Sequence, residues 1–191
     1  MLDPSIRLAF PGWVTTWEGR IPWPYKDSRK GPAGEDASLV TIGIGCLADP
    51  LSLGLACGIP ADEWERVKAL PGGHYAAFYR GSFALSEQQV DALAQRRLDE
   101  LWALVEQRWP AAGSWPAKAQ LAVCGMGWAV GVGDERPGLA SSEWPRFAAA
   151  LDAQDWATAA AECRITTAPN SRNDAHRALF RAELTGVTAE I

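Results

Sequence analysis

Residues 86–108, SEQQVDALAQRRLDELWALVEQR, run for more than twenty positions without a glycine or a proline, and that run limits how the rest of the chain can be arranged. Val90, Leu93, Leu98, Leu101 and Val105 recur at helical spacing. Ser86 stands at the N-cap with Gln89 three residues on, a capping box in which each side chain satisfies the other residue's backbone N–H. Trp109-Pro110 ends the helix, because proline disfavours helical geometry in the residue before it. A helix this long between two unlike halves predicts two lobes with a cleft set by the helix.

The carboxy half reads as all helix. Residues 116–130, PAKAQLAVCGMGWAV, open with a proline suited to a first turn and are apolar nearly all round, as in a core helix. Helices follow over 143–151, over part of AQDWATAAAECRI with Asp155 near its start, and over 170–184, where Ala175, Leu179 and Ala182 share a face. The amino half offers one short helix, opened by Pro11 and closed by Gly19, then an alternating run at 39–45 among many Gly and Pro residues. No repeat, low-complexity tract or long linker divides the chain. The expectation is an α+β, mainly α, two-lobed fold in one domain over 1–191. A lobe over 1–85 carries a β-hairpin, an interlobe helix spans 86–109, and an all-helical lobe spans 110–191.

Composition removes several function classes. With 191 residues, 48% of them hydrophobic, the chain can bury a core without staples. Cys46, Cys57, Cys124 and Cys163 form no CxxC and no Cys/His cluster, so they read as buried free thiols in a reducing compartment, with no structural metal. No run approaches the roughly 18 apolar residues of a membrane span, and the first residues lack a basic stretch followed by a clean apolar one. Synthesis as a soluble cytoplasmic protein without a signal peptide, and no membrane insertion, are expected. A net charge of −5 argues against nucleic acid and gives no electrostatic pull toward an anionic surface.

The candidate chemistry lies in the amino half. In PGWVTTWEG, Glu18 falls in the last helical turn, one turn after Val14. Apolar neighbours and the negative end of a helix dipole favour the protonated carboxyl, as a general acid requires; solvation of the helix end is the other reading. Nine residues on, Asp27 follows a stretch that Pro22 and Pro24 hold extended. A partly wet, ionised Asp27 beside a shielded Glu18 is the usual division into base and acid, although an aspartate before serine also starts many turns. In LVTIGIG, alternation puts Val40, Ile42 and Ile44 on one face and Thr41, Gly43 and Gly45 on the other. That second face, bare but for one hydroxyl, is open to close approach by a ligand and suits a long polymer.

Of the ten tryptophans, Trp13, Trp17, Trp102, Trp128 and Trp156 fall in helical apolar stripes and read as core. Trp23, Trp64, Trp109, Trp115 and Trp144 lie near loops or ends, where a ring can stack on a sugar; Trp23, between the two carboxylates, is the candidate singled out. His74 and His176 read as structural or exposed, and Arg172 and Arg177 as wall contacts or, more simply, a solvated helix face.

WEG, then YKD with its aspartate nine residues after the glutamate, then TIGIG after a turn, resemble the catalytic stretch of phage-type lysozymes, the muramidases that bacteriophages use as endolysins. More faintly, 86–108 resembles that family's interlobe helix, AKAQLAVCGMGWAVGVG its buried helix, and RNDAHRALFRAEL its arginine-rich final helix. The resemblance implies a lysozyme-like fold and hydrolysis of the β-1,4 bond between N-acetylmuramic acid and N-acetylglucosamine in peptidoglycan. It implies Glu18 as general acid, Asp27 as the carboxylate that activates or places water, and Thr41 as the residue that positions it; Gly43 and Gly45, from the bare face, and Trp23, from its place between the carboxylates, are the expected glycan contacts. No cofactor or metal is implied. An inverting glycosidase holds its carboxyls roughly 6.5–9.5 Å apart to admit water, and inversion is expected. The implied partner is the peptidoglycan strand, met by a monomer after holin-dependent release or as part of a phage particle. A secreted or virion-associated antibacterial effector of the same fold and a non-catalytic glycan-binding or structural particle protein remain alternatives. The chain departs from the family in its longer link SRKGPAGEDASLV and in Cys46, where a histidine used for an ion pair is common. Segment 48–85 carries no correspondence.

Overall fold

A computed structural model describes residues 1–27, 37–71, 81–133, 138–140 and 142–185. Among them the fold is mainly helical with one small antiparallel sheet. The elements are α1 (Pro4–Glu18), β1 (Ile21–Lys26), β2 (Val40–Gly43), β3 (Cys46–Leu47), α2 (Leu51–Ala56), α3 (Ala61–Lys68), α4 (Glu87–Arg108), α5 (Ala117–Val130), α6 (Pro145–Ala153), α7 (Trp156–Glu162) and α8 (Asn170–Thr185). They form two compact units, one of Val14–Arg97 and one of Met1–Trp13 with Leu98–Ile191. The divisions fall inside α1 and α4. No helix among the described residues is long and apolar enough to cross a membrane.

In the unit Val14–Arg97 the strands lie in the order β1-β2-β3. β1 pairs with β2 in the register Ile21↔Gly43, Tyr25↔Thr41 and Lys26↔Val40, with an irregularity at the Pro22-Trp23-Pro24 segment, whose prolines donate nothing to a ladder. Val40, Ile42 and Ile44 are fully buried and anchor the ribbon. The expected continuous strand over 39–45 is corrected: β2 stops at Gly43, Ile44-Gly45 form a turn, and β3 runs back. Gly43 and Gly45 have φ of +69° and +67°, a region that favours glycine, so the turn and not a ligand accounts for them.

Two further expectations need correction. α1 begins at Pro4, seven residues before Pro11, which lies inside the helix and not at its start. The amino half, expected to hold one short helix, also carries α2 and α3, with Pro50 and Pro60 at their N-caps. The ends of α3 suit its dipole, with Asp62 and Glu63 in the first turn and Arg66 and Lys68 in the last. The capping box of α4 is as expected: Ser86 N–H donates to Gln89 Oε1 at 2.8 Å and Gln89 N–H to Ser86 Oγ at 3.2 Å.

In the other unit α5 is buried from Ala119 to Gly127, as its composition predicts. α8 packs on α5 and α7. A Cβ on Gly125 would stand 2.3 Å from the Trp13 ring, so α1 and α5 meet there with no room for a side chain. Trp115 meets Trp156 edge-on at 5.8 Å, and Trp156 stacks on Phe180 at 6.3 Å. Asp155 caps α7 by accepting from Thr158 N–H at 3.0 Å. All four cysteines are buried thiols outside any disulfide; burial pushes the Cys46 thiol up to about 12.

Candidate active site

Every residue of the candidate site belongs to Val14–Arg97. α1 delivers Glu18 at its last residue, where Gly19, with φ of +72°, donates its N–H to Thr15 O at 3.0 Å and turns the chain out of the helix. Glu18 is half-buried. Its Oε2 lies 3.1 Å, and its Cβ and Cγ 3.3 Å, from the point a Cβ on Gly45 would occupy. The carboxylate therefore rests against the β2–β3 turn. Next along the chain, Arg20 is tied to Glu87 Oε2 and, at 2.8 Å, to Asp91 Oδ1, both on α4. The Asp91 hydrogen bond leads the causes that raise the guanidinium's pKa.

Asp27 follows β1 and engages Leu39 twice. Its N–H donates to Leu39 O at 3.0 Å and its Oδ1 accepts from Leu39 N–H at 2.8 Å. A carboxylate that accepts a backbone N–H is held in one orientation. Thr41 Oγ1 donates to the same Leu39 carbonyl at 3.4 Å, a long bond for a hydroxyl, and Thr41 is 5% exposed. Asp27 and Thr41 thus converge on one residue of the ribbon, and Glu18 sits at its turn.

Other candidates stand elsewhere. Gly43 does not offer a bare face to a ligand: a Cβ there would meet Leu93 and Val90 of α4 at 3.5 and 3.8 Å. Trp23 is half-buried in the irregular part of β1. Trp64, Trp109 and Trp115, expected at loops or ends, are core, whereas Trp13, Trp17, Trp128 and Trp156 are half-buried and Trp102 alone of the expected core set is buried. Arg172 is 6% exposed and donates to Gly125 O at 3.3 Å, which corrects the solvated reading; Arg177 pairs with Asp174 at 2.6 Å. His176 is fully buried and His74 lies outside the described residues, as does most of the tip RKGPAGEDAS. Among the described residues no cluster of His, Cys, Asp or Glu could hold a metal ion.

Asp49, outside the set of residues expected at the site, touches the ribbon directly. Its Oδ2 accepts from Val40 N–H at 3.2 Å and from Lys68 Nζ at 2.5 Å. The sequence signal was an aspartate just past an alternating run and before a proline, which also describes an ordinary turn. A scan against protein-family models and a search of curated proteins find no match to this chain.

Proposed function

We propose that this chain is a lysozyme-like peptidoglycan hydrolase, a muramidase that cleaves the β-1,4 bond between N-acetylmuramic acid and N-acetylglucosamine with inversion, acting in phage-mediated bacterial lysis. The observation that carries the reading is the convergence of Asp27 and Thr41 on Leu39, on the ribbon whose turn glycine lies against Glu18. In the reaction Glu18 gives its proton to the glycosidic oxygen as the C1–O bond breaks. Asp27 takes a proton from the attacking water, and the Thr41 hydroxyl orients that water. Proton exchange with solvent then restores both carboxyls. The long Thr41–Leu39 bond supports this role, because water competes readily for a weakly held hydroxyl.

A second reading, a glycan-binding or particle protein without catalysis, draws on the near-complete burial of Thr41. Turbidity of permeabilised Gram-negative cells or isolated peptidoglycan separates the two. Wild type is expected to clear the suspension near neutral pH, and Glu18→Gln to lose about 10²–10⁴-fold in rate, as for removal of a general acid. Wild type that pellets with the wall but clears nothing would give the binding reading its place. The anomer released tests inversion separately, since retention would make a protein group the nucleophile.

A further inference from the structure

We infer that Asp49, its charge balanced by Lys68, is a positioning residue for Asp27 and Thr41: its carboxylate replaces a missing rung of the ladder and fixes the ribbon from the edge opposite Asp27. The catalytic part rests on the muramidase reading above; the structural part does not. The register Thr41↔Leu47 puts Val40 opposite Ala48, and Ala48 N–H duly donates to Val40 O at 2.8 Å. In a regular antiparallel pair the Val40 N–H would return to the Ala48 carbonyl. That carbonyl is instead taken by the Trp64 indole, whose Nε1 donates to it at 2.7 Å. Val40 N–H goes to Asp49 Oδ2 at 3.2 Å.

α3 supplies both halves of this arrangement. Trp64 holds Ala48, and one turn on Lys68 Nζ holds Asp49 Oδ2 at 2.5 Å while lying 5.7 Å from the Trp64 ring centroid. The Asp49 side chain is 11% exposed, and a carboxylate so far out of water needs its cation. Val40 is fully buried, so its N–H has no solvent to fall back on. The residues on either side of Val40 are Leu39, which Asp27 grips with two hydrogen bonds, and Thr41. A shift of the backbone at Val40 therefore moves the water-handling pair while leaving Glu18, at the turn, in place.

The test compares kcat and KM on solubilised peptidoglycan with amide hydrogen exchange read by NMR in the free protein. Asp49→Ala and Lys68→Met are expected to lower kcat by about 10- to 100-fold, the scale of a misplacement near 1 Å, with KM held within about twofold. Exchange at Val40 and Leu39 should speed up in both variants, and Lys68→Arg should restore both readouts. Lys68→Met leaves the Asp49 oxygen available to Val40 and serves if Asp49→Ala does not fold. Ser82→Ala, which removes a 2.6 Å hydrogen bond to buried Glu63 in the same unit, is the stability control and should keep wild-type kcat. Unchanged kcat in Lys68→Met, or a loss equal to that of Ser82→Ala at matched stability, overturns the proposal. Wild type without turnover ends the muramidase reading, and the exchange arm then decides alone: faster Leu39 exchange supports the positioning role, unchanged exchange overturns it.

Discussion

At Gly45 a positive φ and the nearness of Glu18 bear on the same missing atom. Gly45→Ala should cost about 1–2 kcal/mol for placing a side chain in the left-handed region, seen as a lower denaturant midpoint. It should also push the Glu18 carboxylate, 3.1 Å from the new methyl, and, under the proposed muramidase activity, lower turnover further than the stability loss explains. Gly43→Ala bears the same backbone strain, but its methyl meets Leu93 and Val90 at ordinary contact distances, so its loss should appear chiefly as stability. Of the candidate site, the order Glu18, Asp27 and Thr41 along the chain is legible in the sequence. The role of the glycines was not, because alternation in a string of letters records which face a residue takes and says nothing of the sign of φ.

Among the elements, α4 was readable to within a residue of its start, since Ser86, Gln89 and Trp109-Pro110 each mark an end by a local mechanism. α1 was not, because Pro11 is a start signal by statistics and here sits mid-helix. α2 and α3 are short, and their prolines and glycine mark loops as readily as helix starts; the charge order of α3, acid first and base last, is the helical signal the sequence does carry. α3 is held to the ribbon through Trp64, which gives its docking a measurable weight. Trp64→Phe keeps the ring but leaves the Ala48 carbonyl short of a donor, and should cost about 1–3 kcal/mol in urea unfolding, the penalty of an unsatisfied buried acceptor.

For the molecule as a whole, acid is the condition to which the structure speaks most directly. His176 is buried between the Trp13 ring, 5.4 Å away, and Gly125, and within the described residues neither ring nitrogen has a hydrogen-bond partner. Burial, with a smaller push from the Arg172 charge, lowers it from 6.5 to about 3. The unfolded chain therefore binds a proton that the folded chain refuses between those values. Stability from this residue is complete above about pH 6.5 and is lost as pH falls toward 3, at about 1.4 kcal/mol per pH unit. Thermal midpoints measured across that window should fall steeply for wild type and by one proton's slope less for His176→Gln. The unit containing α5 and α8 should lose amide protection before Val14–Arg97 does.

That unit is also built from two separate pieces of chain, Met1–Trp13 and Leu98–Ile191, with Val14–Arg97 made between them. On a ribosome adding about 5–20 residues per second, the first piece emerges several seconds before α5, whose Gly125 leaves room for the Trp13 ring. Val14–Arg97 is contiguous and can close on itself as it appears. Leu2, just ahead of α1, and Ile6 and Phe10 within it, all destined for burial, must meanwhile wait uncovered. Slower translation of Val14–Arg97 lengthens that wait.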